Sequence, residues 1–463
     1  MLNQTRSRSR PWPQWIGALA CALGLEAAFV ALVRLGNLEL YVIETIAVGL
    51  GAGVVYFIAL YFLEHSADNR RAFWLILLVS ILFRLTLAPF GPTLSNDIFR
   101  YRFDGQVQAQ GYNPYLVRPN VPRFAALAVH SIPSIPGQGI RSIYPPLSEL
   151  VFRIDWRLFH SPAAFKIPFI LADLLVLLVL AWATRRGRIR NYQLAIYGWN
   201  PLVIVEFASS GHNDPLALAA TAAATLLIIG PRRVLSTLLL AAGILAKAFP
   251  VVLVPLWLVR LEWPRKGWAA VLAACGLAAA CWWPYRSATL SLMATLHRYQ
   301  SSFLDNNASI FLVLQHITHS NLLPLGLGVG VVFGLSLWAA ARRLDPAHAA
   351  FLLFGTILLV SPNGYPWYFT WVIPFLALVG QSRYLAPWLM LTILQFLSNE
   401  VLIGYRILGV WHFSPLFLWL TYAPFYAWLL WNAFTASPPS ARPIGKIIPA
   451  SAVPAAPAET ASE

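Results

Sequence analysis

VIETIAVGLGAGVVYFIALYF, residues 42–62, holds a single charged side chain, Glu44. As a helix rising 1.5 Å per residue, a run of this length crosses the ~30 Å hydrocarbon core of a bilayer. It is continuous rather than alternating, so it reads as a spanning helix and not as a strand of a membrane barrel. Similar runs follow in both directions, near 72–90, 165–183, 193–208, 214–230, 267–284, 322–340, 347–361, 366–380, 384–398 and 414–432. The N-terminal MLNQTRSRSRPWPQW is basic, and the apolar run after it reaches about Val33 without a clear small-residue cleavage site. It reads as a retained first helix with its N-terminus in the cytoplasm.

Composition sets the class. Hydrophobic residues make up 58% of the 463-residue chain and charged residues 11%, with a mean hydropathy of +0.64. Soluble domains carry about a quarter charged residues, so this chain lacks the polar surface to face water all round. The reading is an all-α polytopic transmembrane bundle of about 12–14 helices over residues 1–435. The Pro/Ala/Ser-rich stretch 436–463 reads as a disordered cytoplasmic tail.

The net charge of +15 does not point to nucleic acid. The cations form short clusters between apolar runs: Arg6/Arg8/Arg10, Arg70/Arg71, RRGRIR from Arg185, Arg232/Arg233, Arg265/Lys266 and Arg342/Arg343. Clusters in alternate loops follow the positive-inside pattern, and no soluble domain is left to bind a nucleic acid. Cys21, Cys275 and Cys281 lie in apolar runs without metal-ligand spacing and read as small hydrophobes.

Between the third and fourth runs the character changes. SNDIFRYRFDGQVQAQGYNPY, residues 95–115, gathers two aspartates, two arginines, three glutamines and two asparagines. It opens a segment from Gly91 to about Ala164 with no spanning run, and with enough Trp, Tyr, Phe and Ile to fold onto the membrane domain. With the basic start inside, this segment falls on the extracytoplasmic face. So do RSIYPPLSE, SSGHNDP, SSFLDNNAS and SPNGYPWY. Polar residues gathered at one interface suggest chemistry there; a channel or transporter scatters them through its midplane.

Asp97 and Asp104 stand seven residues apart, two turns along one face of an expected helix, with Arg100 and Tyr101 between. An interfacial amphipathic helix with Asp–Arg pairs accounts for the same pattern. Gly111 and Asn113-Pro114 read as its stop. His212, Asn213 and Asp214 begin an apolar helix, where they serve as a cap, as a ligand site, or as both. No second histidine or acidic cluster stands at metal-ligand spacing, and no metal or cofactor is assigned. From Val234 to Arg260 basic residues flank both ends and LAKAFP interrupts the middle. Two short helices in a hairpin with Lys247 at the apex keep both basic ends inside. A lysine within apolar sequence costs a few kcal/mol to insert. It marks function unless it snorkels or pairs with a buried acid. The aromatic SPNGYPWY reads as a site turn or as an interfacial belt.

Taken as an ordered set, NDIFRYRFDG…GYNPY, YPPLSELVF, GHNDPLALA, ILAKAFPVVLVP and SPNGYPWYFTWVIPF resemble the membrane glycosyltransferases of the GT-C superfamily. The likeness is greatest to polyprenyl-phosphate-mannose-dependent mannosyltransferases and to glycosyltransferase family 87. The resemblance implies a GT-C-like bundle in the plasma (inner) membrane with an extracytoplasmic active site. It also implies transfer of a hexose, with mannose expected, from a polyprenyl-phosphate donor to a hydroxyl of a glycan or glycolipid acceptor. In such enzymes an acid in the first large outer loop is the base, a role that maps onto Asp97. The family often shows two adjacent acids, whereas this chain has Asn96-Asp97 and departs there from a DxD-style metal site. Arg100, Arg102 and Lys247 are candidates to hold the departing phosphate without a metal. Tyr101, Asp104, Tyr144, His212, Asn213 and Asp214 complete the candidate substrate site. Two other readings stand beside it: a flippase or transporter for polyprenyl-linked sugars, and a membrane scaffold without catalysis.

Overall fold

The computed structural model describes residues 12–125, 135–159, 161–288, 291, 295, 307–380 and 382–435. The basic N-terminus, residues 301–306 of SSFLDNNAS and the tail from 436 lie outside the described residues.

Every regular element among the described residues is helical. The first three helices are α1 (Trp12–Leu35), α2 (Val42–Glu64) and α3 (Arg70–Leu87). The outer segment then forms α4 (Asp97–Ala109), α5 (Pro122–Ala125) and α6 (Pro146–Leu158). Next come α7 (Ile167–Arg185), α8 (Asn191–Gly198), α9 (Pro201–Ile204) and a π-turn over Val205–Ser209. After them lie α10 (Asp214–Leu227), α11 (Arg233–Ala246), α12 (Val254–Arg260) and α13 (Arg265–Trp282). The chain closes with α14 (Ile310–Thr318), α15 (Leu322–Ala341), α16 (Pro346–Val360), α17 (Ile373–Val379), α18 (Leu385–Leu394), α19 (Val401–Leu408) and α20 (Pro415–Thr435).

Among the described residues six helical runs are long and apolar enough to cross a membrane: 14–35, 42–64, 164–185, 265–288, 322–341 and 385–407. Shorter apolar helices at 214–227, 233–246, 249–260, 346–360 and 366–379 pack among them. Leu23, Ile43, Leu322 and Trp431 point outward from their helices, as side chains facing lipid do. The protein is a multi-pass membrane protein.

Local chemistry sets the helix ends. Asn69 accepts from the Ala72 N–H at 2.9 Å to start α3, and Asp345 accepts from Ala347 and His348 to start α16. A buried ion pair locks α3 to α7. Arg84 Nε meets Asp173 Oδ2 at 2.7 Å, Tyr197 donates to the same carboxylate, and Arg84 also donates to the Gly198 carbonyl. The lone pairs and N–H groups are thereby answered inside the bundle, as burial of charge demands.

The span expected near 193–208 is corrected. It divides into α8, α9 and the π-turn, because Asn200-Pro201 breaks the ladder after Trp199. Pro201 has no N–H to give and Asn200 caps Leu202 and Val203 instead. All three pieces are buried rather than lipid-facing. The hairpin expected around Lys247 is present. Lys247 is extended (φ −154, ψ 134) between α11 and a 3-10 turn over Phe249–Leu253. Arg233, at the start of α11, donates to the carbonyl of Arg260 at the end of α12, at 2.7 Å.

Candidate active site

α4 lies flat on α6. Gly105 makes this possible: a β-carbon there would fall 2.3 Å from the Phe152 carbonyl oxygen. The ring of Tyr101 then stacks on Phe152 with centroids 4.5 Å apart and 10° between planes. Asp97 is the first residue of α4, where free N–H groups and the helix dipole favour a carboxylate. Its side chain keeps 20% exposure. The Tyr101 hydroxyl, fully buried, lies 3.4 Å from Asp97 Oδ2 and 3.3 Å from Asn213 Oδ1.

The partner surface comes from the π-turn, a distortion often found at functional sites. It holds Glu206, and the chain turns at Gly211, with φ +76, to present His212. A β-carbon on Gly211 would meet Lys166 Cγ at 2.6 Å. The buried Lys166 ammonium donates to the carbonyls of Phe90, Ala208 and Ser209 at 2.5, 2.6 and 3.2 Å. One cation thus ties the segment leading to Asp97 to the segment leading to His212.

His212 is fully buried between two carboxylates. Nδ1 lies 3.4 Å from Asp97 Oδ2, and Nε2 lies 3.3 Å from Glu206 Oε2. These are ion-pair contacts, with geometry short of directed hydrogen bonds. The imidazole also stacks on Trp367 at 3.9 Å and 16°, and Trp367 stacks on Tyr365 at 4.7 Å and 8°. Burial alone pushes the imidazole toward the neutral form, but the Asp97 and Glu206 carboxylates outweigh it and raise the pKa from 6.5 to about 9. A charged ring also gains from the indole face.

A stability consequence follows from that shift. The folded-state pKa lies above the unfolded one, so the stabilisation is complete below 6.5 and is lost as pH rises through about 9. Thermal unfolding in detergent should therefore show a midpoint that falls across that window, and His212→Gln should flatten the fall. An equal alkaline loss in both proteins would detach it from His212.

Next to His212, Asn213 donates to Ser148 Oγ at 3.1 Å, and Ser148 donates to the Ala246 carbonyl at 2.7 Å. Asp214, fully buried at the start of α10, takes the Lys247 ammonium at 2.7 Å on Oδ2 and the Trp371 indole N–H at 2.6 Å on Oδ1. The ammonium sits 5.1 Å above the Tyr368 ring. Asp97, Tyr101, His212, Asn213, Asp214 and Lys247, read from three separate motifs, therefore meet at one place, under the aromatic turn 365–371.

Of the other candidates Tyr144 touches the centre, while the contacts of Arg100, Arg102 and Asp104 run to other groups. Asp104 pairs with Arg100. It is fully buried against α6, with Arg100 Nε at 3.0–3.1 Å, and Arg100 also donates to the carbonyls of Gly137 and Ile140. Glu149 accepts from Gln108 at 2.7 Å and from Ser142, and Tyr285 donates to Gln108 at 2.7 Å. Burial drives Glu149 well above the carboxylate range, and the nearby Asp104 charge adds to the rise. Burial raises Asp104 too, against the opposing pull of Arg100. Arg102 lies over the Trp156 ring at 5.7 Å. Tyr144 packs edge-on to Tyr101 at 5.0 Å.

Glu206 and Lys166 join the centre without having been singled out in the sequence, whereas Trp367 belongs to the aromatic turn SPNGYPWY that was. Glu206 is a lone acid in the apolar run LVIVEFASS, and the insertion cost that marks Lys247 marks it equally. Among the described residues no group of three or more His, Cys, Asp or Glu side chains is placed to hold a metal ion.

The family model described as alpha-(1->6)-mannopyranosyltransferase, N-terminal domain, matches residues 15–262. The match covers α1 to α12 and all of the convergent centre except the aromatic turn at 365–371. No curated protein and no solved structure matches the chain.

Proposed function

Since the chain belongs to the alpha-(1->6)-mannopyranosyltransferase family, we propose that this mannosyltransferase takes its sugar from a polyprenyl-phosphate donor. The acceptor is a hydroxyl of a glycan or glycolipid at the extracytoplasmic face of the plasma (inner) membrane. The observation that carries the reading is the convergence of Asp97, Tyr101, His212 and the Asp214–Lys247 pair beneath Tyr365, Trp367 and Tyr368. In the step proposed, the acceptor oxygen bonds to the anomeric carbon while the bond from that carbon to the donor phosphate breaks. The bonding pair leaves with the polyprenyl phosphate, and Asp97 takes the hydroxyl proton. Tyr101 and His212 hold the carboxylate in place. Lys247 faces the developing phosphate charge, and the flat rings of the turn offer an apolar face to the sugar.

Glu206 has a positioning role in this reading. It meets Nε2 of His212 at 3.3 Å while Asp97 meets Nδ1, so the ring is held from both sides with Nδ1 toward the Asp97 carboxylate.

The test uses purified protein in detergent with polyprenyl-phosphate mannose and a glycolipid acceptor. An enzyme releases product there, whereas a lipid transporter needs a sealed vesicle, and absence of product would overturn the reading. The face is tested by an impermeant thiol reagent on whole cells, in a background lacking Cys21, Cys275 and Cys281. Asn120→Cys and Asn363→Cys should both label from outside. Labelling only after the inner face is opened would reverse the orientation.

A further inference from the structure

At the far end of α11 from Lys247 lies a cavity of about 210 Å³. α11 runs 14 residues from Arg233 to Ala246, so at 1.5 Å per residue the two ends are about 20 Å apart. Three arginines line the cavity: Arg233 at the start of α11, Arg260 at the end of α12, and Arg343 just after α15. Its remaining wall is apolar and includes Ile228, Ile229 and Val259.

The cations there are under-neutralised. Among the described residues no carboxylate lines the cavity. Glu262 reaches Arg233 Nη2 at 3.4 Å but is shared with Lys266 at 2.8 Å. Arg260 spends Nη2 on the carbonyls of Arg343 and Leu344, and Asp345 is engaged by His348 at the start of α16. The buried Nε atoms of both Arg233 and Arg260 have no hydrogen-bond partner among the described residues. Buried donors left unpaired are costly, and a bound acceptor relieves them.

Arg343 adds an independent sign. It has φ +48 at the left-handed position of a helix C-terminal turn, closed by bonds from Arg343 N to Ala340 O and from Leu344 N to Ala339 O, both 3.0 Å. Glycine or asparagine suits that conformation far better than arginine. The turn alone does not call for a guanidinium, and at this position Arg343 lines the cavity.

We propose that this cavity binds a phosphate group, and that the group belongs to the headgroup of an anionic lipid. Guanidinium forks fit phosphate oxygens in pairs. Basic pockets between spanning helices hold such headgroups. The lipid source is favoured by the rim, where Ile229 is 51% and Val259 37% exposed, beside the place an acyl chain would lie. The site is separate from the sugar-transfer centre and does not depend on how that centre works.

Native mass spectrometry after exchange into equal amounts of phosphatidylglycerol and phosphatidylcholine tests it. Wild type should retain phosphatidylglycerol. Arg343→Asn keeps a residue suited to the turn while removing the charge, and Arg233→Gln removes a second cation. Each should lower that retention roughly tenfold, the weight of one charge-assisted contact. A second arm follows thermal unfolding in neutral detergent with inorganic phosphate. Stabilisation of wild type but not of Arg343→Asn, without lipid retention, supports the same site with free phosphate as its ligand. If neither lipid nor phosphate distinguishes wild type from Arg343→Asn, the proposal is overturned.

Discussion

Replacement of Asp97 by asparagine should lower mannosyl transfer by about 10²–10⁴, the usual weight of a general base. The side chain keeps its shape and its place at the head of α4, but it no longer takes a proton. Its neighbours separate this loss from collapse of the site. Tyr101 and His212 both approach Oδ2, at 3.4 Å each, and an amide there still accepts from either. Donor affinity should change far less than turnover, because the carboxylate acts mainly in the transition state. Asp104→Asn should behave in the opposite manner. Its carboxylate answers the buried Arg100 guanidinium at 3.0 Å, so the loss falls on folding, with a milder effect on turnover. Both variants are to be measured with one donor preparation, alongside their unfolding midpoints. Near-normal turnover in Asp97→Asn, with abolition in Asp104→Asn or Asp214→Asn, would place the base on another acid.

That contrast between two aspartates of one helix also shows where sequence reading stops. The pattern of Asp97 to Gly105 made α4 legible, since no glycine or proline interrupts it before Gly105. The hairpin at Lys247 was legible for a similar reason: polarity at both ends and a break between are local facts. What separates Asp97 from Asp104 is tertiary. Glu149 and Gly105–Phe152 packing bury the second aspartate, and those contacts join residues 45 and 47 positions apart. The break at Asn200-Pro201 was written in the chain as a turn signal, but the apolar content on either side outweighed it. Glu206, Lys166 and the Arg84–Asp173 pair carry the same warning as Lys247, an ionisable group in apolar sequence. Their partners could not be named, because each is answered from another helix: Glu206 by His212, Lys166 by the carbonyls of residues 90 and 208, Arg84 by Asp173.

Lys247→Met should have two effects, and only a double variant separates them. Alone, it leaves the fully buried Asp214 carboxylate with the Trp371 N–H but no cation. Breaking a buried pair from one side costs about 3–5 kcal/mol, a large share of the stability of most folds. It also removes the ammonium proposed to meet the donor phosphate, a charge-assisted contact whose loss lowers donor use roughly ten- to hundredfold. In Asp214→Asn with Lys247→Met the uncompensated charge is gone, and the amide oxygen still accepts from Trp371. Stability should then return most of the way, as a positive coupling in the double-mutant cycle. Donor use should not return, since no cation remains over the Tyr368 ring, where the ammonium sits at 5.1 Å. Unfolding midpoints and donor-concentration curves for the four proteins supply both measurements. If the double variant regains normal dependence on donor as well as stability, Lys247 serves only to neutralise Asp214. The phosphate must then be met by another cation of the outer segment, with Arg102 the first to test.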